Sequence, residues 1–286
     1  MWRRFLATIL PTALLCAQNQ AISYRTMAPD ILRQRLDSPP KKNEEREARL
    51  FRMFEEAGCK PDELRRQKLP ASKHSNVICS LPGAVDDAIV VGAHLDMTGS
   101  GSGVVDNWSG ASMLPSLYEG HSKEPRKHTW IFVGFTLEEA GLVGSKFYAN
   151  RLKKEAFDRH RAMINIDSVG TSPAKVWVSR SDPRLLEGLL RMAGALQMQL
   201  TGVNVEQVGD SDSHSFAARR IPVVDLHSLT QGTLPILHTA KDQADRIVFE
   251  DYESTYRLLS AYLAYLDTNI DSLLAKPLKP RSQRPR

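Results

Sequence analysis

Several apolar runs in this 286-residue sequence end on residues that can bind a metal or carry a proton. AIVVGAHLD ends on His94 and Asp96, TWIFVGFTLEE on Glu138 and Glu139, AMINID on Asp167, and IPVVDLH on Asp225 and His227. Asp106 in VVDNWSG and His238 in ILHTAKDQAD stand in loop-like surroundings. Zinc takes imidazole nitrogen and carboxylate oxygen readily, and a hydrolytic zinc site keeps one position open for water. His94 with Asp96 two places on suits a ligand and a carboxylate that orients its ring. Asp106 precedes a helix-like stretch, so it is either an amino-terminal cap or a carboxylate able to bridge two metals ~3.5–4 Å apart. Consecutive Glu138 and Glu139 point in different directions, so one can ligate metal while the other works as a base on bound water. The resulting assignment gives His94, Asp106 and Asp167 to one metal, and Asp106, Glu139 and His238 to a second. Asp225 and His227 are left out of it.

Such residues need a scaffold that brings distant segments to one edge. Strand-like and helix-like segments alternate along the chain. DDAIVVGAH, HTWIFVGFT, RAMINID, KVWVSR and IPVVDLH read as strands, while DNWSGASMLPSLYEG, EEAGLVGSKFYANRL, PRLLEGLLRMAGALQ and DYESTYRLLSAYLAYLDTNI read as helices. Ahead of them, NEEREARLFRMFEEAG places Leu50, Met53 and Phe54 on one face of a helix that stops at Gly58. Strands apolar along most of their length imply a mainly parallel sheet with helices on both faces, an α/β class. Ligands of such sheets bind outside the carboxyl ends of the strands, where the polar residues above fall.

HLD, GVVDNWSGAS, TLEEAGLVGSKFYA, NIDSVG, DSDSHSFAARRIP and HTAKDQADRI occur in this order. In them the chain resembles the co-catalytic di-zinc aminopeptidase family, the bacterial leucyl aminopeptidase-like metallopeptidases related to glutamate carboxypeptidases and glutaminyl cyclases. The resemblance covers roughly residues 75 to 265. It implies a phosphorylase/hydrolase-like three-layer α/β/α sandwich, two zinc ions, peptide substrates, Glu138 as general base and Asp96 as the carboxylate behind His94. Leu237 stands where relatives often carry Tyr, so no oxyanion-stabilising tyrosine is named. The histidine of DSDSHSF falls one place late, which makes His214 a surface residue rather than a site residue. Asp242 fits a family position of structural use.

Composition bounds the rest. MWRRFLATILPTALLCAQ sets Arg3 and Arg4 before a short apolar run, the build of a secretory signal peptide over residues 1–17, and implies a secreted or periplasmic protein without stable membrane insertion. A single peptidase domain over 18–275 and a basic, disordered tail over 276–286 complete the layout. The net charge of +5 is peripheral: the tail holds five basic residues and no acid, and Arg3 and Arg4 add two more. With no basic stripe interleaved with aromatics, no nucleic-acid partner is expected. Once Cys16 is removed with the signal, Cys59 and Cys79 remain as either a disulfide or two buried thiols. The rival functions are a glutaminyl cyclase and a non-catalytic binding module on the same fold. GSGSG at 99–103 does not fit the G-x-S-x-G of serine hydrolases, and no H-E-x-x-H occurs.

Overall fold

The computed structural model describes residues 24–152 and 154–277. The segment read as a signal peptide, with Cys16, and the tail beyond 277 lie outside these residues. Two helices, α1 (Pro29–Leu36) and α2 (Asn43–Glu56), lead into strands β1 (Leu64–Lys68), β2 (Ser75–Leu81) and β3 (Val85–His94). Helix α3 (Ser109–His121), β4 (His128–Phe135), α4 (Val143–Arg151), α5 (Lys154–Arg159) and β5 (His160–Ile166) follow. The remainder is β6 (Lys175–Val176), α6 (Pro183–Ala195), β7 (Thr201–Gly202), α7 (Ser213–Ala217), β8 (Val223–His227) and the long α8 (Phe249–Ala275). Among the described residues no helix is long and apolar enough to cross a membrane.

The eight strands form one sheet in the order β1-β2-β4-β3-β5-β8-β6-β7. The central four, β4, β3, β5 and β8, run parallel, while β1 and β2 add an antiparallel edge and β6 pairs antiparallel with β8. Side chains alternate across the sheet. Ile89, Val91 and Ala93 of β3 join a large core with Leu50 and Phe54 of α2, Leu114 of α3, Leu189 of α6 and Tyr256 of α8. Val90 turns to the opposite face, against Val133, Met163, Tyr148 of α4 and Phe216 of α7. The architecture is the expected three-layer α/β/α sandwich, with one deep helical layer and one thin one.

Local chemistry ends α2 where the sequence predicts, whereas the helix expected from EEAGLVGSKFYANRL begins only at Val143, after a turn that holds Glu138 and Glu139. Helix α2 closes on Gly58 at φ 89°, with the Cys59 N–H bonded to the Phe54 carbonyl at 2.9 Å and the Gly58 N–H to that of Glu55 at 2.9 Å. This left-handed glycine cap turns Cys59 toward β2. Cys59 and Cys79 form a disulfide across a Cα separation of 6.4 Å, settling the choice left open by composition. Asp182 caps α6 by accepting the Arg184 N–H at 2.9 Å. KVWVSR, read as a whole strand, pairs only at Lys175–Val176. Beyond it the Ser181 N–H and hydroxyl both bond back to the Trp177 carbonyl and close a turn into α6.

Candidate metal centre

Strand order reverses beside β3: α3 leads to β4 on one side, and the chain then returns to β5 on the other. Loops leaving the carboxyl ends of β3, β4 and β5 therefore diverge and open a crevice. His94 is the last residue of β3, Glu138 and Glu139 follow β4, and Asp167 follows β5. Asp106 arrives on the Val104–Trp108 turn, whose Asp106–Asn107 peptide is cis, and His238 on the loop before α8. All five proposed ligands and Glu138 meet there.

The Asp106 carboxylate lies between two imidazoles. Its Oδ1 is 3.0 Å from His94 Nε2 and its Oδ2 is 3.0 Å from His238 Nε2. His94 Nε2 is also 3.6 Å from Asp167 Oδ1, and His238 Nε2 is 3.1 Å from Glu139 Oε2. Ligand atoms of His94, Asp106 and Asp167, and of Asp106, Glu139 and His238, lie within 4.8 Å of one another. A third group, His94, Glu138 and Glu139, meets the same limit and places Glu138 beside both sets.

Neighbouring residues hold this arrangement. Asp96, expected to orient His94, lies 3.7 Å from its Nδ1 and also accepts the N–H groups of Glu138 at 3.1 Å and Glu139 at 3.3 Å. It therefore positions the acidic pair. Asn107, not Asp106, does the capping: its Oδ1 accepts the Gly110 N–H at 2.9 Å and the Ser168 N–H at 3.2 Å, which ties the Asp106 turn to the segment after Asp167. Asp242 accepts the N–H groups of Val105 at 2.8 Å and Asp106 at 3.0 Å.

So many carboxyl groups in a buried space perturb one another. Burial pushes Glu138 up to about 10 and Glu139 up to about 7, and Asp212, itself raised to about 7 by burial, adds to the rise of Glu138. Burial opposes charging of His94, yet Glu138, Asp167 and Asp106 lift it well above the usual imidazole range. Its hydrogen bond to Asp106 raises His238 to about 9. Asp106 is held well below the usual carboxylate range because bonds from His238 and His94 outweigh its burial. A cation fits here on the structure's own terms. Glu139 Oε1 is buried without a hydrogen-bond partner, and the donor set of imidazoles and carboxylates is one that zinc accepts.

The centre forms one end of a cleft of about 460 Å³. Trp177, Val205, Leu229, Leu234 and Leu237 line its apolar side. Asp225 and His227, left out of the sequence-based site, also line it, and their position after an apolar strand was the available signal. Asp225 accepts bonds from Asn165 and Ser213, while His227 Nε2 bonds the Val203 carbonyl, so both are committed to the protein. Sequence reading missed Asp212, which is 1% exposed. His214 is half-exposed and pairs with Asp210 and Arg180.

Fold and cluster together define a class: α/β/α sandwiches that gather metal-binding residues where strand order reverses. The chain belongs to peptidase family M28, whose model matches residues 76–263. Leupeptin-inactivating enzyme 1 of Streptomyces exfoliatus is 31% identical over 157 residues, 54% of this chain and 35% of that protein. Aminopeptidase YwaD of Bacillus subtilis (strain 168) is 26% identical over 186 residues, 61% of this chain and 40% of that protein. The chain thus spans less than half the length of these curated relatives. A glutaminyl cyclase structure from an Acidobacteriales bacterium shares the fold, with a TM-score of 0.72, 19% identity, and coverage of 92% of this chain and 100% of that one.

Proposed function

We propose that the chain is a zinc-dependent exopeptidase that releases amino-terminal residues from peptides. The observation that carries this reading is the Asp106 carboxylate shared by His94 and His238, one oxygen to each at 3.0 Å. A carboxylate so placed could serve as ligand to two ions, one through each oxygen. His94, Asp106 and Asp167 would hold one zinc, and Asp106, Glu139 and His238 the other. Bound zinc supplies a Lewis acid that makes water a nucleophile near neutral pH and polarises the peptide carbonyl.

The chain's own residues do the remaining work. Glu138 takes the proton of the attacking water and returns it to the leaving amine. A proton clings to Glu138 at neutral pH in the metal-free protein, and cations beside it favour the carboxylate that a base requires. Asp96 fixes the loop on which Glu138 turns. The apolar side of the cleft shields the reacting end of a peptide from water. Membership of M28 and likeness to a named aminopeptidase support the reaction class. The Cys59–Cys79 disulfide supports an oxidising, periplasmic or extracellular compartment, as the leader-like amino terminus implies.

The test is mass spectrometry of a mixed peptide pool incubated with zinc-loaded protein, with and without chelator. Chelator-sensitive shortening from the amino terminus is the expected result. Loss of ammonia confined to Gln-led peptides would replace the peptidase with a cyclase, and an unchanged pool would leave a binding module.

A further inference from the structure

Arg46 is fully buried in α2, upstream of the residues that the family model matches. Arginine is almost never fully buried without a compensating partner, and here every hydrogen bond it makes goes to a main-chain carbonyl. Nε donates to Pro40 at 2.8 Å and Nη1 to Leu95 at 3.2 Å, while Nη2 donates to Ser102 at 2.5 Å and Gly103 at 3.0 Å. Leu95 separates His94 from Asp96, and Ser102 and Gly103 lead into the turn that carries Asp106. The guanidinium therefore clasps both ends of the loop between two metal-binding residues. Asp242 grips that loop from the other side, its carboxylate on the Val105 and Asp106 N–H groups and its carbonyl on the Ser102 N–H at 2.8 Å.

We propose that Arg46 is a positioning residue for the metal centre, its guanidinium fork fixing the spacing of His94 and Asp106 and so setting the affinity for zinc. This rests on the metal reading above. Two effects of Arg46 oppose each other. Its charge, facing Asp242, Asp96, Asp106 and Glu139, repels an incoming cation, whereas its fork holds the ligands in place. Geometry is the larger effect, because a ligand turned away by a fraction of an ångström loses its bond, while a charge shared among four carboxylates is largely offset.

The test is zinc titration of the full-length, metal-stripped protein against a competing indicator, after circular dichroism has shown each variant folded. Arg46→Lys keeps the charge and loses the fork, and Arg46→Met loses both. Both are expected to bind zinc about 10–100-fold more weakly, the range for lost partners of metal ligands. One ammonium cannot reproduce a planar fork over several carbonyls, so Lys does not rescue. Gly103→Ala carries the test if the Arg46 variants do not fold. A Cβ there would stand 2.8 Å from Arg46 Nη2 and from Met97 Cβ and 3.2 Å from the Asp106 carbonyl, at a φ of 55°, so it would disturb the fork and the Asp106 turn together with the charge intact, and weakening is expected. Leu50→Ala, which damages only the apolar side of α2, should lower the melting temperature and leave zinc affinity unchanged.

Wild-type affinity in Arg46→Lys with tighter binding in Arg46→Met would overturn the proposal in favour of charge alone. Equal weakening in Leu50→Ala would reduce Arg46 to general support of the fold, and wild-type affinity in every variant would remove its role. Failure of the unaltered protein to bind zinc would instead defeat the metal reading itself.

Discussion

Glu138 and Glu139 are neighbours in the chain with separate expected duties, and substitution separates them. Glu138→Ala should keep its metal, measured by elemental analysis, and lose about 10²–10⁴-fold in turnover, the usual worth of a positioned base. Glu139→Ala should lose metal occupancy first. Protons compete for the same site. His238 titrates near 9 in the metal-free protein, and zinc needs its neutral ring. Zinc affinity should therefore climb with pH up to about 9, and calorimetry in buffers of different ionisation heat should show protons released on binding. A pH-independent affinity with no proton release would contradict the place of His238 in the ligand set. The residues that meet in the cluster were legible because each ends an apolar strand or sits in a short polar loop. The second duty of Asp96 was not, since a hydrogen bond to the N–H groups of Glu138 and Glu139 depends on how a loop 42 residues later folds back. Arg46 was passed over in the sequence, although it shares the stripe of Leu50, Met53 and Phe54, where a charge needs a reason.

Helix α2 bears on the centre and is itself pinned by its disulfide. Opening Cys59–Cys79, which span 20 residues, should cost about 3 kcal/mol of stability through the freed loop of the unfolded chain, read from urea midpoints of the double serine variant. At the end of α3, His121 is buried against Trp130, with ring centroids 4.7 Å apart, and burial followed by the Arg126 charge pushes it down to about 4. An unfolded histidine titrates near 6.5, so as pH falls the unfolded chain takes up a proton that the folded one refuses. Its contribution is complete above pH 6.5 and fades as pH drops toward 4, a loss of about 3 kcal/mol. His121→Leu should flatten that part of the stability curve, measured by denaturant unfolding at pH 7 and pH 4.5. The alternation of central strands and helices was readable because buried parallel strands are apolar throughout. Helix α1 and the β1–β2 hairpin were not: β1 is LRRQK, an exposed edge whose pairing comes from register with β2 and not from apolar pattern. KVWVSR carried the pattern but lost its pairing to the turn at Ser181.

Taken whole, the molecule gathers a dense group of carboxyls at the carboxyl ends of its central strands, with the Arg46 guanidinium clasping a loop that leads to them. A ligand that binds only the folded state stabilises it, by about 2.7 kcal/mol at a hundred times its dissociation constant. Zinc should accordingly raise the melting temperature of the stripped protein, and Glu139→Ala should shrink that rise. An unchanged melting temperature on zinc addition would count against a site of this composition. The residues that make the centre are strewn along the chain, from Arg46 through His94, Asp106, Glu139 and Asp167 to His238 and Asp242. On a ribosome they emerge in that order, and His238, which would close the second ligand set, follows every other proposed ligand. No nascent fragment that stops short of His238 therefore holds both proposed ligand sets. On the metal reading, full loading waits for the loop before α8 to fold back onto strands that precede it in the chain.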